Sequence, residues 1–187
     1  MTQDYPTISE ICPPETWPPN ITVGDGTIIA GIAPFRRFYS TRDPGLSIGC
    51  DCSMMGTQFS IGTAGSVTIG DYCHFTHAVL LCEESVKIGN HVVIGWNVTI
   101  SDADFHSLAP DERIVDAVAL SPGGDVRDRP HFAKKPIVIE DEVWIGPSAT
   151  ILKGVHIHRG AWIEPGSVVS KDVPADARVF GNPARLA

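Results

Sequence analysis

The sequence predicts an all-β chain wound as a parallel β-helix with one long loop excursion, and three observations carry that prediction. From Ile139 an aliphatic residue stands at every sixth place: Ile139, Ile145, Ile151, Ile157, Ile163 and Val169. The residues between them are rich in Gly, Pro, Asp and Ser. This period matches neither the 3.6 of a helix nor the 2 of a half-buried strand; it suits short strands joined by corners, each coil stacking its aliphatic on the one before. The fourth residue after each of the first five aliphatics (Val143, Ala149, Val155, Ala161, Ser167) is small or β-branched, as a narrow interior requires.

Taken in order, the elements form a single domain over residues 1–187. Residues 1–20 hold Pro13, Pro14, Pro18 and Pro19, which forbid a helix through that stretch and predict an extended cap over the first coil. Residues 21–104 are the N-terminal coils. Their inward positions are predicted at Val23, Ile29, Ile48 and Met54, then Ile69, Phe75 and Leu81, then Ile88, Ile94 and Ile100, with one extra residue near Val86 or Lys87. The segment APFRRFYSTRDPG reads as a minor excursion. After Ile100 the next inward place would be 106, yet the repeat resumes only at Ile139. Residues 105–138 are therefore a long loop, of the kind that serves as a functional lid or a disordered insertion. Residues 139–173 are the C-terminal coils and 174–187 a closing segment.

Composition narrows the function. A formal charge of −8 on 187 residues argues against a partner that is nucleic acid or an anionic membrane surface. No apolar run is long enough to span a bilayer, and the start has neither a basic n-region nor an apolar h-region, so a cytoplasmic protein is expected. The five cysteines, without a CxxC pair, read as reduced core residues rather than a disulfide or zinc framework.

The hexapeptide coils, the break ISDADFHSL followed by the long loop, the restart PIVIEDEVWIGPSATILKGV and the ending GSVVSKDVPADARVFGNPAR together resemble the hexapeptide-repeat O-acetyltransferases of the galactoside and maltose acetyltransferase group. The likeness covers roughly residues 20 to 187. It implies a left-handed helix of triangular section, a homotrimer, and acetyl-CoA as donor in the groove between neighbouring subunits, with no metal.

His106 matches the family's catalytic histidine. A thioester has a good leaving group, but a hydroxyl is a poor nucleophile until a base takes its proton. Imidazole, with an ordinary pKa of about 6.5, is suited to accept it. The ring must also be oriented, and Asp102 and Asp104 are the candidates nearest in sequence, with Glu83 or Glu84 one coil earlier. Both aspartates could equally make turn hydrogen bonds to backbone.

For acetyl-CoA the resemblance implies Ser170, Lys171 and Arg185 at the nucleotide end and Trp144 near the histidine across a subunit boundary. The turns at Gly146–Pro147 and Pro165–Gly166 would present backbone to the pantetheine arm. For a sugar or glycan acceptor, the family's positions fall near Thr76 and at Glu83 or Glu84, and Arg113 in the loop could reach over the site. Three alternatives stand beside this reading: N-acetylation of an amino sugar, a zinc site of His74, His77 and His106 as in carbonic anhydrase-like relatives of the fold, and a non-catalytic scaffold.

Overall fold

The computed structural model describes residues 11–187, and over them three parallel sheets wrap one interior. The six-stranded face runs from Ile21–Val23 through Leu46–Ile48, Val67–Ile69, Val86–Ile88 and Ile137–Ile139 to His156–Ile157. The eight-stranded face stacks Ile28–Ala30, Ser53–Met55, His74–Thr76, Val93–Ile94, Trp144–Ile145, Trp162–Ile163 and Arg178–Phe180, and ends on Arg185–Leu186. The five-stranded face holds Gln58–Ile61, Val79–Cys82, Thr99–Ser101, Thr150–Leu152 and Val168–Val169. Each coil visits the eight-, five- and six-stranded faces in turn, the arrangement of a left-handed β-helix of hexapeptide repeats.

Register follows from the six-residue period. Ile139 pairs with Ile157, Ile145 with Ile163, and Ile151 with Val169. All six are 1% exposed or less, and burying a side chain of this size contributes about 1.5–3 kcal/mol. The small residues Val143, Ala149, Val155, Ala161 and Ser167 are buried as well.

One inward position differs from the sequence reading. Leu80 and Cys82 face the interior while Leu81 faces out, because Leu80 pairs with Phe59 and Ile100. The surplus residue of this coil is accommodated at the corner Glu83–Ser85, between Cys82 and Val86, a few places before the position expected for it.

Corners carry their own side-chain ladder. Asp71 Oδ1 accepts from the Cys50 N–H at 2.7 Å, Asn90 Oδ1 from the Asp71 N–H at 2.9 Å, and Asp141 Oδ1 from the Asn90 N–H at 2.8 Å. A sharp corner leaves backbone donors without strand partners, and short acidic or amide side chains satisfy them from the next coil.

The excursion leaves the five-stranded face after Ser101 and rejoins the six-stranded face at Ile137. Its two ends close on each other: the Lys135 N–H donates to Asp102 O at 2.8 Å, the Asp104 N–H donates to Ala133 O at 2.9 Å, and Ala103 bridges Lys134. The all-β expectation needs one correction here, because the excursion contains α1 (Pro110–Ala119) and a short 3-10 turn at Val126–Asp128. Proline in the first turn and the acids Asp111 and Glu112 beside it favour a helix start at this point. α1 buries only Asp116 and Ala119 and exposes Ile114, Val115 and Val118.

At the ends, the Cys12 N–H donates to Ile29 O and Ile11 bridges Ala30, so residues 11 and 12 lie on the first coil; the earlier part of the expected cap lies outside the described residues. Arg178–Phe180 and Arg185–Leu186 form an antiparallel pair at the other end. Among the described residues, no helix is long and apolar enough to cross a membrane.

Candidate active site

His106 stands just beyond the corner where the five-stranded face gives way to the excursion. Its Nδ1 lies 2.5 Å from Asp116 Oδ2 on α1, and its side chain is 57% exposed while that of Asp116 is 3% exposed. With Nδ1 engaged by a carboxylate, the ring's proton is held there, and Nε2 is left with its lone pair toward the open side. No described residue hydrogen-bonds Nε2.

Asp116 is itself fixed by Arg129, whose Nε donates to Oδ1 at 2.7 Å and whose Nη2 donates to Phe105 O at 2.5 Å. The guanidinium also lies 5.3 Å from the centroid of Phe132, which stacks on Phe105 at 5.9 Å. One arginine thus ties together the helix, the residue before His106 and the returning strand of the loop. The guanidinium first, and then the imidazole, hold the Asp116 carboxyl below its ordinary value. A carboxylate depressed in this way keeps its charge, and the coupling it provides, at every pH above the ordinary aspartate value of about 3.9. That coupling is lost only as pH falls through the lowered value.

The two aspartates expected to orient the ring do not touch it. Asp102 is completely buried, at an inward position in register with Cys82 and Ile61. Its carboxylate accepts the N–H groups of Glu83, Glu84 and Ser85 at 2.7–2.8 Å and the Cys82 thiol at 3.3 Å. The turn hydrogen bonds weighed for it in the sequence are what it makes. Asp104 turns instead to Lys153 Nζ on the following coil, at 2.5 Å. The residues that hold His106, Asp116 and Arg129, lie ten and 23 places away, beyond any strand-based argument. The acid isolated in the run IVDAVAL is visible in the sequence, but nothing there places it against His106.

Of the acceptor-side candidates, Glu83 lies at the same corner as His106, with Lys134 Nζ 3.4 Å from its backbone carbonyl. Burial, and then the Asp102 carboxylate, push its carboxyl up; Lys134 and Arg129 oppose the shift. A methyl group at Gly62 would stand 2.4 Å from Glu83 Oε2, so glycine there makes room for this acid. Glu84 contributes its N–H to Asp102. Arg113 is exposed and uses Nη1 to bind Ser107 O and Leu108 O, bracing the backbone beside His106.

Of the remaining candidates, Ser170 and Lys171 stand on the same edge as His106, two coils further on, and the others lie on the eight-stranded face or its corners. Thr76 and Trp144 are on the eight-stranded face, where Thr76 Oγ1 lies 3.1 Å from His74 Nε2 and Trp144 stacks on Trp162 at 4.0 Å. Gly146–Pro147 and Pro165–Gly166 form successive corners between the eight- and five-stranded faces. Gly146 is dictated by packing, since a Cβ there would lie 2.6 Å from Pro165 N, whereas Gly166, with φ +70°, has nothing within 4 Å of its Cβ direction. Ser170, Lys171 and Arg185 line one cleft of about 490 Å³ with Val169, Pro174 and Leu186. Within one chain the histidines of the zinc alternative do not meet: His77 stacks on Trp96 at 4.5 Å, and His74 faces Thr76.

The chain itself has similar counterparts among known proteins. Residues 136–171 match the family described as bacterial transferase hexapeptide, six repeats. The chain is similar to the galactoside O-acetyltransferase of Lactococcus lactis subsp. lactis, 34% identical over 117 residues, 63% of this chain and 49% of that protein. It is also 49% identical over 51 residues to the 2,3,4,5-tetrahydropyridine-2,6-dicarboxylate N-acetyltransferase of Staphylococcus aureus, a stretch covering 27% of this chain and 21% of that one. Among solved structures, a hexapeptide-repeat acetyltransferase from Vibrio cholerae O1 biovar eltor, complexed with acetyl-CoA, superposes with a TM-score of 0.53 at 35% identity, covering 68% of this chain and 62% of that one. The chain thus spans about half the length of the first of these relatives, and less of the second. The three-faced solenoid and these likenesses agree: residues 136–171 carry the hexapeptide repeat of bacterial transferases, and the chain is similar to hexapeptide-repeat acetyltransferases.

Proposed function

We propose that the protein transfers an acetyl group from acetyl-CoA to a hydroxyl of a sugar or glycan, by direct attack and with His106 as general base. The single observation that carries this reading is the His106–Asp116 pair: a buried carboxylate holds Nδ1, and Nε2 is free on an exposed ring. The acceptor hydroxyl gives its proton to Nε2 as its oxygen attacks the thioester carbonyl. When the tetrahedral intermediate collapses, the C–S bond breaks and the imidazolium returns the proton to the departing sulfur. Asp116 stays ionised and stabilises the imidazolium between these events. A backbone N–H of the coil after the loop would serve the oxyanion.

Acetyl-CoA is the donor by likeness to the Vibrio cholerae protein, whose structure holds it. In this chain Lys171 and Arg185, with Ser170 beside them, supply a local basic cleft on an otherwise acidic protein. Trp144 and the turns at Gly146–Pro147 and Pro165–Gly166 would line the path of the pantetheine arm. Glu83 is the acceptor-side acid, with Thr76 coming from a neighbouring chain of a homotrimer. The five free thiols suit a reducing compartment such as the cytoplasm.

A thiol-release assay with acetyl-CoA across galactosides, other sugars and amino sugars tests the reading. A hydroxyl acceptor should accelerate CoA release, and His106→Ala should lower turnover by roughly two to four orders of magnitude. Acceleration by amino sugars alone would make the protein an N-acetyltransferase using the same base. Full activity in His106→Ala would remove the base from the mechanism.

A further inference from the structure

On the outer surface of the six-stranded face, one coil above another, three metal-ligating side chains converge that the transfer reaction does not use. His156 begins the strand His156–Ile157, and His158 follows at the second place after it, so both rings lie on the outer face while Ile157 points in. The preceding coil brings Glu140 beneath them, since Ile139 pairs with Ile157. Glu140 Oε1 lies 2.7 Å from His156 Nε2 and 3.1 Å from His158 Nδ1, and one ligand atom from each residue falls within 4.8 Å of the other two. The imidazoles stack at 3.9 Å.

We propose that Glu140, His156 and His158 bind a divalent transition cation, with Zn²⁺ the metal they fit best, at a site separate from the acyl-transfer site. Two imidazoles and a carboxylate are a zinc donor set, which leaves a fourth position for water. Tetrahedral Zn–N and Zn–O bonds place ligand atoms ~3.3 Å apart, so the contacts from Glu140 to His156 and His158, now 2.7 and 3.1 Å, need open by about 0.6 and 0.2 Å. Magnesium and calcium, which prefer oxygen ligands, fit poorly.

Two further features support a cation here. The second oxygen of Glu140 accepts the Arg159 N–H at 2.9 Å, which fixes the carboxylate and aims Oε1 at the imidazoles, as second-shell contacts do for metal ligands. The surroundings are also negative. Asp141 and Glu142 take up the Arg159 guanidinium, and Asp172 Oδ1 accepts the His156 N–H at 2.8 Å. With Glu140, four acids face one arginine, and Lys87 stands two strands away in the same column. Both rings belong to one coil and the acid to the one before, so a bound cation would clasp consecutive coils and stabilise the folded state by linkage.

Equilibrium dialysis of the full chain against Zn²⁺ near neutral pH, with Mg²⁺ as control, tests the site. The expected result is one tightly held Zn²⁺ per chain, no comparable Mg²⁺ binding, and a thermal unfolding midpoint that rises with Zn²⁺. Glu140→Gln and His158→Ala should each weaken Zn²⁺ binding by at least about tenfold and abolish the rise, with far-UV circular dichroism unchanged. If either variant misfolds, His156→Gln carries the same comparison. Absence of stoichiometric Zn²⁺ overturns the proposal. So does equal affinity in folded variants, since the metal would then sit on cysteines or on other histidines. The test reads metal and stability, so it stands or falls independently of the acetyl-transfer reading.

Discussion

At the scale of single residues, the candidate site is a chain of three groups, each fixing the next: Arg129 on Asp116, Asp116 on His106. Each link has a distinct consequence. Asp116→Asn preserves shape but replaces a charged acceptor with an amide that can present its own N–H to Nδ1, which permits the wrong tautomer and leaves the imidazolium unsupported. A comparable change in a catalytic triad costs several orders of magnitude in turnover. For this protein a loss of about 10²- to 10⁴-fold in kcat is expected, with KM for acetyl-CoA little changed, because Asp116 lies away from the cleft of Lys171 and Arg185. Steady-state kinetics with both substrates varied checks this. A rise in KM at constant kcat would mean that Asp116 shapes a binding surface and does not orient the base. Asp102 shows the opposite case, an acid whose charge is wholly consumed by structure.

At the scale of elements, the corner Glu83–Ser85 depends on that buried acid. Asp102→Ala would leave three corner N–H groups without acceptors. At 1–3 kcal/mol for each such group, partly relieved by water, the loss should be about 3 kcal/mol. Chemical denaturation measures it, and a variant as stable as the parent would show that the corner rearranges freely. The same residue explains what was and was not legible in the sequence. Inward positions of the C-terminal coils followed directly from period six, since Ile139, Ile145 and Ile151 stack in unbroken register on Ile157, Ile163 and Val169. Leu81 was misplaced by one residue because corner length, unlike strand period, is set by side chains from the next coil, here the carboxylate of Asp102. The break at His106 was readable as a break. Its partner was not, because Asp116 reaches the ring only through α1, whose exposed Ile114, Val115 and Val118 give no helical stripe facing a core. Gly146 has a packing reason beside the proposed ligand one, since a Cβ there would lie 2.6 Å from Pro165 N.

At the scale of the whole molecule, the candidate residues divide between separate edges of the prism. His106, Glu83, Arg129 and Lys153 gather where the five-stranded face meets the six-stranded one. Thr76 and Trp144 lie on the eight-stranded face, and Gly146–Pro147 and Pro165–Gly166 at its junction with the five-stranded one. A rigid solenoid with an interior of close-packed aliphatics cannot fold one edge onto another. If both groups serve one reaction, the second must come from another copy, and in the homotrimer proposed above the His106 corner of each copy would face the eight-stranded face of the next. Complementation tests this directly. His106→Ala disables one corner and Trp144→Ala the facing surface, so each homogeneous oligomer should be nearly inactive. In an equimolar mixture allowed to exchange chains, roughly a quarter of the interfaces pair an intact His106 with an intact Trp144, and activity should recover toward that fraction. If exchange is verified and no activity returns, both groups act within one chain or Trp144 has no part in the site, and the intersubunit reading is lost.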